Sequence, residues 1–187
     1  IISVTDSIPP VLSATPVDRT YECAEQVEAA PVQVATDNCG VVTLNFEETT
    51  NPGSCPNQYE IYRRWYAYDL CGNTAEHWQT ITVHDNVPPV LLTTPVDRTY
   101  ECADDVPAAP VGNATDNCDI VFVDFSESII NGDCHNKFTV VRRWLATDLC
   151  GNTDEHWQHI TVYDGKAPTF DQTVPPAVVD VDCAQEV

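Results

Sequence analysis

Apolar and polar residues alternate along much of the chain, and helical spacing of apolar positions is absent. Tyr59 to Ala67 predicts a strand with Tyr59, Ile61, Trp65 and Ala67 on one face, and Arg63 falls in register with them. Trp78 to Val83 predicts a second strand, while Val11-Leu12, Val32 to Thr36 and Val41 to Glu47 supply more. Turn-forming clusters separate these runs: Asp37-Asn38-Cys39-Gly40, Asn51-Pro52-Gly53 and Cys71-Gly72-Asn73. Several short strands in so short a stretch predict an all-β fold, a small antiparallel sandwich of immunoglobulin-like order.

The pattern recurs at one constant offset. Arg19-Thr20-Tyr21-Glu22-Cys23-Ala24 returns as Arg98-Thr99-Tyr100-Glu101-Cys102-Ala103, and Asp69-Leu70-Cys71-Gly72-Asn73-Thr74 returns as Asp148-Leu149-Cys150-Gly151-Asn152-Thr153. More than half of the positions in 6–84 match their partners in 85–163. Fixed-period self-similarity is the signature of a tandem array. The expected organisation is residues 1–5 as the last strand of a preceding repeat, 6–84 as repeat 1, 85–163 as repeat 2 and 164–187 as the start of a third. On this reading the sequence is a segment of a longer linear array.

Nine cysteines sharpen the picture. Cys23, Cys39, Cys55 and Cys71 are evenly spaced, and Cys102, Cys118, Cys134 and Cys150 repeat the same spacing. An even set of four predicts two disulfides per domain and an oxidising, extracellular or cell-surface location. Zinc needs closely spaced Cys or His pairs, and no CxxC or HxxxH pair occurs. Four cysteines allow three pairings. Immunoglobulin-like strand order puts Cys23 and Cys55 near one end of the domain and Cys39 and Cys71 near the other. The expected bonds are therefore Cys23–Cys55, Cys39–Cys71, Cys102–Cys134 and Cys118–Cys150, with Cys183 belonging to the unfinished copy. The formal charge of −21 disfavours nucleic acid and direct membrane insertion, and favours divalent cations.

Ala35-Thr36-Asp37-Asn38-Cys39, then Trp65 to Thr74, then Gln79-Thr80-Ile81-Thr82-Val83 through Asp85 and Pro88-Pro89, resemble hyalin-repeat (HYR) modules. They resemble more closely the cysteine-containing HYR-like repeats of large Bacteroidota cell-surface and gliding-motility adhesins. That resemblance covers essentially the whole chain. It implies tandem immunoglobulin-like domains, surface display and an adhesive or fibre-forming role.

Three acidic points recur with the repeat: Asp6 or Asp85 in the linker, Asp37-Asn38 or Asp116-Asn117, and Asp69 with Asn73 or Asp148 with Asn152. In an immunoglobulin-like domain the linker enters beside both turns, so Asp6 is expected to face Asp37 and Asp69, and Asp85 to face Asp116 and Asp148. Carboxylates and amide carbonyls are calcium ligands, which makes these ten residues a candidate Ca2+ set at the domain junctions. The competing reading is that Asp and Asn only make the turns. Pro9-Pro10 and Pro88-Pro89 predict semi-rigid linkers.

Asn113-Ala114-Thr115 is an N-glycosylation sequon, and the Bacteroidota resemblance makes Asp6-Ser7-Ile8 an O-glycosylation motif with Ser7 as acceptor. Glu76-His77 and Glu155-His156 place a base beside a carboxylate, but no nucleophile motif accompanies them, and no enzymatic role is expected. The leading expectation is an extracellular structural or adhesive stalk or filament. Its partners are neighbouring repeats, identical filaments, surface glycans or glycan decoration. The alternative is a carbohydrate- or protein-binding module using exposed aromatics such as Trp78 and Trp157.

Overall fold

The computed structural model describes residues 1–118, 120–134 and 136–169. Repeat 1 carries β1 (Val11–Leu12), β2 (Arg19–Tyr21), β3 (Ala35–Thr36), β4 (Thr43–Pro52), β5 (Gln58–Tyr68) and β6 (Thr74–His84). Repeat 2 carries β7 (Val90–Leu91), β8 (Arg98–Tyr100), β9 (Ala114–Thr115), β10 (Phe122–Asn131), β11 (Lys137–Thr147) and β12 (Thr153–Tyr163). The larger sheets run β2-β6-β5-β4 and β10-β11-β12-β8, and the smaller pair β1 with β3 and β7 with β9. Every sheet takes its strands from one repeat alone. Residues 1–5, expected as the last strand of an earlier copy, form no strand here.

The alternation in Tyr59–Ala67 becomes the inner face of β5. Ile61, Arg63, Trp65 and Ala67 are buried, and Ile61 lies opposite Ile81 on β6. Ile61, Ile81 and Val83 form a buried cluster with Tyr21, Val27 and Tyr59 packed against it. In repeat 2, Leu91 of the small sheet packs on Trp144 and Ala146 of the large one, with Ala114 of β9 beside them, so the two sheets of a repeat are stacked layers. Trp144 is 0% exposed.

Two expectations shift. Asn51-Pro52 does not turn; β4 runs through Pro52, and the reversal falls at 53–57, where the Gly53 N–H donates to the Gln58 carbonyl at 2.7 Å. Proline is tolerated there because β4 is a sheet edge, where its missing N–H breaks no ladder. The short strands β2 and β8, parallel to β6 and β12, had no alternation to announce them. The turn at Cys71-Gly72-Asn73 is as expected, with Gly72 and Gly151 both at φ +89°, a conformation that disfavours a side chain.

Arg63 is 4% exposed and finds partners on three sides. Its Nε donates to Glu48 at 2.7 Å, and its Nη groups donate to the Glu28 carbonyl and to Gln79. Glu48 is thus the carboxylate partner. Arg142 repeats the Glu48 contact with Glu127.

Candidate functional site

The cysteines pair across the two repeats, not within them. The bonds are Cys23–Cys118 and Cys55–Cys150, each spanning 95 residues, with Cα–Cα separations of 5.1 Å. The expected within-repeat bonds Cys23–Cys55, Cys39–Cys71, Cys102–Cys134 and Cys118–Cys150 are therefore corrected. The reason is geometric. Cys23 and Cys55 do share one end of repeat 1, where the Asn57 side chain accepts from the Ala24 N–H at 2.8 Å. The next repeat abuts that end and brings Cys118 and Cys150 within disulfide reach. The separation is one repeat period plus one cysteine spacing. Cys39, Cys71, Cys102 and Cys134 are free and exposed, and Cys183 lies outside the described residues.

Polar contacts knit the joint around these bonds. The Asn117 side chain donates to Sγ of both Cys23 and Cys118. The linker residue Asp85 belongs to both repeats: its N–H donates to the Asn57 carbonyl at 2.9 Å, and its carbonyl accepts from Asn152 at 3.3 Å. Glu22 accepts from the Asn86 N–H. Pro89 is fully buried, which plugs the linker into repeat 2.

The carboxylates converge as well. One ligand oxygen from each of Asp6, Asp37 and Asp69 lies within 4.8 Å of the others, and Asp85 and Asp116 approach within the same distance beside Cys118. A cavity of about 50 Å³ is lined by Asp6, Asp37, Asp69, Cys39 and Cys71. Asp85 is 2% exposed. Burial first, then the charges of Asp116, Asp148 and Glu22, push its carboxyl above the ordinary 3.8, against a lowering hydrogen bond from the Val87 N–H. Its Oδ2 is buried with no hydrogen-bond partner, as is Oδ2 of Asp37. Partial desolvation, then Asp6 and Asp37, push the Cys39 thiol above its ordinary 9.0.

The asparagines of the expected set donate through their NH2 groups to neighbouring residues. Asn73 donates to Asp69 at 2.7 Å and to the Asp6 carbonyl at 3.3 Å, and Asn152 does the same with Asp148 and Asp85. Asn38 and Asn117 donate to the neighbouring sulfurs. Asp37, Asp69, Asp116 and Asp148 each cap their own turn by accepting the N–H of the cysteine two residues on, as a turn role requires.

The other singled-out residues lie apart. Ser7 and Asn113 are exposed on connecting segments. Glu76 accepts from Arg64 on one face of β6 while the His77 ring meets the Pro16 carbonyl at 2.7 Å on the other, so the two are not paired. Repeat 2 repeats this with Arg143–Glu155 and His156–Pro95. Trp78 and Trp157 are 53% and 46% exposed, each with an arginine guanidinium over its ring.

Sequence reasoning missed Asn57, whose buried side chain and backbone tie the 53–57 turn to Cys23's neighbour and to the linker. Its recurrence as Asn136, two residues after the third cysteine of repeat 2, was the available signal.

No helix among the described residues is long and apolar enough to cross a membrane. No curated protein matches the chain. Residues 90–162, which hold Cys102, Cys118, Cys134 and Cys150, match the family model described as an HYR-like domain with 4 cysteines; this points to an extracellular repeat of adhesion type.

Proposed function

We propose that the chain is a stretch of an extracellular stalk or filament whose immunoglobulin-like repeats are covalently stitched end to end. The observation behind this is that both disulfides cross from one repeat to the next. A binding module needs only its own fold stapled. A filament gains from stapling the joints, because each bond restrains the angle between neighbours. The match of residues 90–162 to a four-cysteine HYR-like domain supports surface display.

On this reading the free cysteines are half-joints. Cys102 and Cys134 stand where Cys23 and Cys55 stand one repeat earlier, and Cys39 and Cys71 where Cys118 and Cys150 stand one repeat later. Each pairs with the complementary cysteine of an adjoining repeat. Two thiols lose two protons and two electrons, and a disulfide oxidant accepts them and becomes two thiols. Ser7 and Asn113 are the positions for glycan decoration.

Non-reducing peptide mapping of the protein purified from its source tests the stitching. Cys23 is expected with Cys118, and Cys102 and Cys134 each with a cysteine of another repeat. A Cys102–Cys134 or Cys39–Cys71 bond overturns it. Electron microscopy tests the filament: single-file strings are expected, and isolated compact particles count against it.

A further inference from the structure

Asp85 poses an electrostatic problem that nothing among the described residues resolves. Its carboxylate is almost wholly buried, and the charges that bear on it, Asp116, Asp148 and Glu22, are all negative. No cation is among those charges, and Arg63, Arg64, Arg142 and Lys166 pair with Glu48, Glu76, Glu127 and Glu101. A buried charge without a counter-charge is strongly disfavoured. Oδ2 of Asp85 is also buried without a hydrogen-bond donor, so its charged form has neither kind of compensation from the groups that bear on it.

We propose that the acidic joint is a divalent-cation site suited to calcium, in which Oδ2 of Asp85 and the carboxylates of Asp116 and Asp148 ligate one ion. Calcium takes six to eight oxygens in flexible geometry, and water completes a set built from three carboxylates. The Cys118 sulfur beside them is in a disulfide and offers no thiolate. Asn152 acts as a strut: its amide holds Asp148 at 2.8 Å and the Asp85 backbone at 3.3 Å, which fixes two ligands relative to each other.

The preceding copy of the site carries the inference independently. Asp6, Asp37 and Asp69, the counterparts of Asp85, Asp116 and Asp148, each bring one oxygen within 4.8 Å of the others beside a cavity of about 50 Å³, and Oδ2 of Asp37 is buried without a hydrogen-bond partner. A site needs only about 10–15 Å³ of such space to hold one water, so this cavity has room for an ion with coordinating water. The ion would tie the linker aspartate to two turns of the repeat it enters. The disulfides tie the two repeats directly, so this site stands or falls separately from them.

Calorimetric titration of the oxidised chain with calcium chloride, after stripping with a chelator, tests the proposal. Two sites are expected, saturating by about the millimolar concentrations typical of extracellular modules. Asp85→Asn is expected to weaken one of them at least tenfold and leave the other. Asp37→Asn is expected to do the reverse, which keeps the test open if one variant fails to fold. No saturable heat at ten times that calcium concentration overturns the proposal. Binding that neither substitution changes overturns it too.

Discussion

Strands β4 and β10 occupy the same place in their repeats, yet of their paired residues only Phe46 and Glu48 recur, as Phe125 and Glu127. The joint is the opposite. Asp6, Pro9-Pro10, Arg19 to Ala24, Asp37-Asn38-Cys39 and Asp69 to Thr74 all recur unchanged one period on. Contact explains the difference. β4 and β10 are exposed edges, and their two shared residues are the ones with inward tasks: Phe46 lies 5.2 Å from the Trp65 ring, and Glu48 neutralises Arg63. Glu22, Cys23, Asp85 and Asn117 contact both repeats, so a change at these positions must suit both sides.

Four measurements break or sharpen this contrast. The largest effect belongs to the joint. Replacing Cys23, Cys55, Cys118 and Cys150 together by serine is expected to cost about 4–5 kcal/mol, the chain-entropy value for a loop of about 100 residues, read by denaturant unfolding. Replacing Cys23 and Cys118 alone is expected to cost far less, because Cys55–Cys150 still closes a loop of the same length. A loss in the Cys23/Cys118 variant about half that of the quadruple variant would mean that the bonds restrain separate things.

Trp144→Ala follows, at about 3–5 kcal/mol, because a fully buried indole leaves a cavity that the stacked sheets cannot close. Gly72→Ala comes next. The backbone there sits at φ +89°, and a side chain in the left-handed region costs about 1–2 kcal/mol. Thermal unfolding of both variants checks the order.

The smallest effects belong to the edge. Ile130→Thr on β10 is expected to change stability by less than about 0.5 kcal/mol, since the residue is exposed. A larger loss there would show that the edge has a structural role the contacts do not reveal.

Much of the body was legible, and the joint only in part. The inward stripe of β5, the strand β6 and the Gly72 turn all follow from local alternation and turn chemistry within one repeat. The parallel strand β2 was not legible, because Arg19-Thr20-Tyr21 is too short for a period and gains its partner only at Ile81-Thr82-Val83, near the far end of the repeat. The convergence of Asp6 on Asp37 and Asp69 was anticipated from the entry point of the linker. The disulfide pairing was not. A uniform cysteine spacing fits within-repeat and between-repeat bonds equally, and only the docking of one repeat onto the next distinguishes them. Asn73 and Asn152 have a residue type that fits a ligand or a strut, and only the hydrogen bonds show their NH2 groups bridging two aspartates.

The Cys23–Cys118 bond also shortens the covalent route through the molecule. From Cys23 to Cys102 the main chain runs a full repeat period, but through the disulfide and back from Cys118 to Cys102 it runs only one cysteine spacing. At about 3.3–3.6 Å per extended residue, that caps the separation of those two points at roughly 55 Å, against roughly 270 Å for the unbridged chain. A tug between those two points can unravel the sheets of repeat 1 and still gain little length, because the bypass is only sixteen residues of main chain and one disulfide.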